Sequence, residues 1–131
     1  MSRKKIVTGY GHPIERTKLY DIPAIERAKS LIDKDPVAHI HLPVLADRAG
    51  INEFKLKVGF RELFLTSPYQ YRLRLCLEKA KMLLEDTDDT IDQIAGKVGF
   101  DTYNGFSTAF RKAFHIAPTE YRKHQAELVW P

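Results

Sequence analysis

Ile94 to Arg122 reads IAGKVGFDTYNGFSTAFRKAFHIAPTEYR, and this stretch decides the fold. The approach to it begins as a helix should. Thr90 can cap the free amides, and Gln93, three residues on, can reach back to complete a capping box. Ile91, Ile94, Ala95 and Val98 then recur at i, i+3, i+4 and i+7, which is one buried helical face. Gly99 ends that helix at a C′ position, where a positive φ meets no Cβ clash. A second amphipathic run follows, with Phe106, Ala109, Phe110 and Ala113 inward. Two short helices meeting at a glycine-containing turn predict a helix-turn-helix, whose second helix fits a DNA major groove.

The same unit is present upstream. Pro43 opens a short helix with Leu42, Leu45, Ala46 and Ala49 on one side, and Gly50 closes it. Asn52 is a good N-cap for the next helix, about 53–64, with Leu56, Phe60, Leu63 and Phe64 inward. FRELFLTSPYQYR (60–72) matches FRKAFHIAPTEYR (110–122) at an offset of 50. Phe60/Phe110, Arg61/Arg111, Phe64/Phe114, Pro68/Pro118, Tyr71/Tyr121 and Arg72/Arg122 coincide, too many identities for composition to supply. A repeat at this separation means two similar structural units.

The rest of the chain arranges itself around the pair. Residues 1–20 have no periodicity and form an N-terminal, partly ordered arm whose Arg3-Lys4-Lys5 is a solvated charge run or a phosphate contact. Residues 21–67 hold a first helix, Asp21 to about Lys34, and the first helix-turn-helix subdomain. Residues 68–84 are a long linker helix striped by Leu73, Cys76, Leu77, Ala80 and Leu83/Leu84. Residues 85–131 are the second subdomain and a tail carrying Trp130. The expected fold is all-α, with about seven helices.

Composition narrows the function. No apolar run approaches the ~18 residues that span a bilayer, and no secretion signal is evident, so a cytoplasmic location is expected. Cys76 is the only cysteine, which excludes an internal disulfide and a multi-cysteine zinc site. His39 and His41 lack a nearby third ligand, so no metal and no cofactor is expected. No catalytic constellation is present, and an enzyme is not expected. The net charge of +4 hides an asymmetry. Outside the acidic cluster Glu85, Asp86, Asp88, Asp89 and Asp92, the chain carries 21 basic and 12 acidic residues, as suits a polyanion-binding face.

With the inward positions fixed, the opposite faces are Glu53, Phe54, Lys57, Val58 and Arg61, and Tyr103, Asn104, Ser107, Thr108 and Arg111. Both follow i, i+1, i+4, i+5 and i+8, one outward stripe. These are the candidate base readers. Asn104 can bond bidentately to adenine, Lys57 or an arginine can reach guanine, Glu53 can accept from cytosine, and Phe54 and Val58 can press on a thymine methyl. Asn52, Lys55, Arg72, Thr102 and Arg122 are candidate phosphate contacts, with ion pairing the alternative for the two arginines. Gly59, inside a helix at a cost of roughly 1 kcal/mol, marks a close approach, by a neighbouring helix rather than by DNA.

The pattern IAxxVGFxxxxxFSxxFRKxFxxxPxxYR in residues 94–122 resembles the DNA-binding domain of the AraC/XylS family of bacterial transcription regulators. The resemblance extends more weakly back to about Asp21. It implies two helix-turn-helix subdomains bridged by a long helix, with recognition helices at about 53–64 and 103–114 entering adjacent major-groove segments of double-stranded DNA. It also implies a monomer if this is the whole protein, and either a short stand-alone member or a fragment of a larger regulator. Activation would need RNA polymerase, for which Glu85–Asp92 is the candidate contact and a solvated loop the plainer reading. The family usually has glycine where this chain has Leu65 and His115, so an αL turn there is strained or replaced. The alternative is a protein-binding module that keeps the fold without DNA affinity, which the exposed Phe54 and Val58 favour.

Overall fold

The computed structural model describes residues 13–129, with side chains up to Ala126. Arg3-Lys4-Lys5 and Trp130 lie outside the described residues. A 3₁₀ turn at Leu19–Asp21 leads into seven α-helices: α1 (Ile22–Lys34), α2 (Leu42–Ala49), α3 (Glu53–Phe64), α4 (Pro68–Asp86), α5 (Ile91–Lys97), α6 (Tyr103–Phe114) and α7 (Pro118–Val129). Among the described residues, no helix is long and apolar enough to cross a membrane.

The chain divides into two compact units, one up to Arg72 and one from Leu73. In the first, Ile25, Ala28 and Ile32 of α1 meet Leu45, Ala46 and Ala49 of α2 and Leu56, Phe60 and Leu63 of α3, all buried. In the second, Cys76, Leu77, Ala80 and Leu84 of α4 do the work of α1. Ile94, Ala95 and Val98 and Phe106 and Phe110 are buried in the same unit, and Arg74 and Lys81 of α4 lie over the Phe114 ring of α6.

The helix expected as a linker therefore has two memberships. Its first turn, Pro68–Arg72, closes the first unit, and its remainder opens the second. The duplication runs further than the matched 13-residue stretch. IERAKSLID (25–33) corresponds to LEKAKMLLE (77–85) at an offset of 52, and the buried Ala24, Ile25, Ala28 and Ile32 fall on Cys76, Leu77, Ala80 and Leu84. The offset drops to 49 at Leu45/Ile94. The connection before α2 runs over 35–41, whereas that before α5 needs only 87–90. Each unit thus repeats one pattern of three helices followed by the start of a fourth, which in the first unit is the opening turn of α4.

The ends of the helices follow the chemistry of the caps. Thr90 and Gln93 form the reciprocal capping box. Gly50 and Gly99 take φ of 78° and 91°. Leu65 and His115 keep the αL turn without glycine, at φ 60° and 62°, each N–H donating to the carbonyl of Arg61 or Arg111. The αL turn is retained and strained rather than replaced. His115→Gly should then raise stability by about 0.5–1 kcal/mol, the αL cost less the extra chain entropy of glycine. A rise of a few degrees in melting temperature is the outcome that checks it.

Gly59 is a close-approach site, and the neighbour is a helix. A Cβ there would lie 2.1 Å from Cδ1 and 2.9 Å from Cγ1 of Ile25, on α1.

Candidate nucleic-acid interface

Each second helix is held at its start by a side-chain cap and along its inner face by phenylalanine. Asn52 Oδ1 accepts from the Lys55 amide at 2.8 Å, and Thr102 Oγ1 from the Gly105 amide at 3.0 Å. Both caps keep a side-chain donor, the Asn52 amide N–H and the Thr102 hydroxyl, for another acceptor. Phe60 meets Phe64 and Tyr71 edge-on, and Phe110 meets Phe114 and Tyr121 in the same way. Lys29 lies over Phe64 and Tyr71, and Lys81 over Phe114 and Tyr121. The Tyr71 hydroxyl donates to Asp33, and the Tyr121 hydroxyl to Glu85. Burial and then Glu85 push the Tyr121 hydroxyl up to about 12, so it stays a neutral donor.

With the inner faces fixed, the outward stripes follow. Glu53, Phe54, Lys57 and Arg61 are exposed on α3, with Val58 half-buried beside them. Tyr103, Asn104, Thr108 and Arg111 are exposed on α6, with Ser107 half-buried. Each stripe is a continuous ridge within its own unit. Of the six identities in the matched 13-residue stretch, only Arg61/Arg111 lies on the ridges, and the other five are packed against the frame. The repeat fixes the frame, and the ridges differ.

The phosphate candidates divide. Lys55 is exposed, with its ammonium 3.3 Å from Asp21 and over the ring of Tyr20. Arg72 and Arg122 depart from the expectation. Arg122 points into its own unit, donating through Nε to the Leu84 carbonyl and through its two terminal nitrogens to those of Asp89 and Thr87. Arg72 donates to the Val37 carbonyl at 3.2 Å. Among the described residues neither forms an ion pair with a carboxylate; each instead clasps the connection before the following short helix. The acidic cluster is partly spent in the same region, with Glu85 accepting from Tyr121 and Asp89 paired with Lys97.

One element of the face was missed by periodicity. The Glu62 carboxylate accepts from the amides of Glu15, Arg16 and Thr17 and from the Thr17 hydroxyl, which fixes this segment beside α3. Arg16 is thereby set over the exposed Phe54 ring, 5.6 Å from its centroid. Burial pushes the Glu62 carboxyl up, but the Thr17 hydroxyl and the three amides outweigh it and hold it below its ordinary 4.5. Because the folded value is depressed, this tether is fully present above the unfolded value and is lost as pH falls through the folded one. Glu62→Gln should speed amide exchange at 15–17 by about tenfold or more at neutral pH, as charge-assisted bonds weaken. Unchanged exchange would mean the segment is held elsewhere.

Comparison with known proteins agrees with this layout. The helix-turn-helix domain family matches residues 45–124. The transcriptional activator RhaS of Pectobacterium carotovorum is 42% identical over 82 residues, covering 63% of this chain and 29% of that protein. An AraC-type regulator structure from Chromobacterium violaceum superposes with a TM-score of 0.74 at 29% identity, covering 83% of this chain and 97% of that one. The C-terminal domain of the response regulator YesN from Fusobacterium nucleatum gives 0.68 at 32% identity, covering 76% and 97%. The chain spans less than half the length of the curated relatives it matches. With that match across most of the chain, and with the caps, core and outward ridges laid out as above, the chain belongs to the AraC-type helix-turn-helix domain family.

Proposed function

We propose that this chain is a sequence-specific, double-stranded-DNA-binding transcription regulator, with α3 and α6 as recognition helices for neighbouring major-groove segments. The observation that carries the reading is the pair of exposed polar and basic ridges, each opposite a buried phenylalanine face in a duplicated unit. Relatives named as transcription regulators and activators support it. Lys57, Arg61, Asn104 and Arg111 reach base edges, and Glu53, Phe54, Val58, Tyr103, Ser107 and Thr108 complete the two surfaces. Asn52, Lys55 and Thr102 meet the backbone at the helix starts, joined by Arg16 and Lys18 from the tethered segment. Phe54 serves as the platform for Arg16, which removes the main reason to prefer a protein-binding surface. No reaction is assigned.

Selection of bound sequences from a random duplex pool tests the reading. Lys57→Ala should relax preference in one half of the site and Asn104→Ala in the other, each at about 1–3 kcal/mol per lost base contact. Binding should weaken steeply with salt as counterions are released. An affinity indifferent to salt, or variants that select the same sequences as the parent, would remove DNA reading from these ridges.

A further inference from the structure

The first unit contains a cavity of about 360 Å³ between the 35–41 connection, α3 and the start of α4. Its walls are largely apolar, including Ile32, Leu42, Leu45 and Pro68, while Lys57, Arg61 and Arg72 line it with positive charge. Asp35 is the acidic lining residue, and its carboxylate already accepts from the Ala38 amide. The electrostatics run the same way at its rim, where desolvation and then Arg72's charge hold His39 below its ordinary value.

The repeat supplies the control. Arg72 and Arg122 occupy equivalent positions, but Arg122 satisfies three carbonyls of the short 87–90 connection. Across the longer 35–41 connection, Arg72 reaches one carbonyl, that of Val37, at 3.2 Å. Its Nε is buried with no hydrogen-bond partner among the described residues. A buried charged donor without an acceptor is costly, and the Arg72 side chain that carries it is one of the residues lining the cavity.

We propose that this cavity is a binding site for a small amphipathic monocarboxylate. The carboxylate displaces the Val37 carbonyl and takes the Arg72 guanidinium fork, and the apolar body lies against Ile32, Leu45 and Pro68. A planar carboxylate matches the fork in shape and charge. A doubly charged phosphate would have to shed more hydration against apolar walls. Because Lys57 and Arg61 line the same cavity, a seated carboxylate draws their charge inward and opposes duplex binding by α3. This second half rests on the DNA reading.

Titration with sodium octanoate, followed by ¹H–¹⁵N spectra that include the Arg72 Nε–H signal, tests the site. A saturable shift of that signal is expected at ~1 mM or below. 1-Octanol, with the body but no charge, and acetate, with the charge but no body, should each bind at least tenfold more weakly. Ala38→Phe, at an exposed lining residue, should fill the cavity and abolish the shift without unfolding the unit. An Arg72 signal that does not move, or octanol binding as well as octanoate, overturns the site. Octanoate should also weaken binding of a selected duplex at least fivefold in the parent but not in Ala38→Phe; equal weakening, or none, overturns the coupling. A chain that binds no duplex fails the DNA reading instead, and the spectra still decide the site.

Discussion

Arg122→Met is expected to destabilise the second unit by about 3 kcal/mol, while Arg72→Met costs the first under about 1 kcal/mol. Methionine keeps most of the aliphatic stem, so packing changes little and the hydrogen bonds are isolated. Arg122 ties the Leu84, Thr87 and Asp89 carbonyls at the end of α4, where a cation also suits the helix dipole. Removing it unpairs three acceptors at a half-buried site. Arg72 gives up one 3.2 Å bond and at the same time relieves a buried, unpartnered Nε. Native-state hydrogen exchange, read separately for the amides of α1–α3 and of α5–α7, measures the two losses. Equal losses would show that the carbonyl bonds do not set the difference between the repeats.

Gly59→Val should cost the first unit about 3 kcal/mol, since overpacking a tight core costs 1–3 kcal/mol and β-branching leaves little helical gain to offset it. Ile25 is fully buried, and its Cδ1 and Cγ1 stand 2.1 and 2.9 Å from where the new Cβ must go, so the core around it has to give. Gly96 is the counter-case. It sits in α5 with nothing within 4 Å of an added Cβ and no positive φ. Gly96→Ala should therefore stabilise by up to about 1 kcal/mol. Urea midpoints of opposite sign for the two substitutions are the expected result. A tolerated valine at 59 would mean that α1 and α3 part more easily than their packing implies.

The helices were legible in the sequence where periodicity, caps and glycine agreed. Thr90/Gln93, Gly50, Asn52 and Gly99 mark their ends by local chemistry, which needs no tertiary knowledge. The ridges were legible because a buried phenylalanine face leaves only one opposite face. Three things were not. The roles of Arg72 and Arg122 depend on which carbonyls a connection brings within reach, and that is a matter of loop length rather than residue type. The Glu62 tether joins residues 45–47 apart in sequence with no periodic signal. The double membership of α4 was hidden because its match to α1 rests on similar residues, Ile25/Leu77 and Asp33/Glu85, beside a few identities such as Ala28/Ala80 and Lys29/Lys81.

The duplicated frame carries unlike outer faces, Glu-Phe-Lys-Val against Tyr-Asn-Ser-Thr, and this gives the molecule a head and a tail. A bound chain would point one way along the double helix, and reversing its site would turn it around relative to any neighbouring gene. Unlike a twofold dimer on a palindrome, such a reader encodes direction.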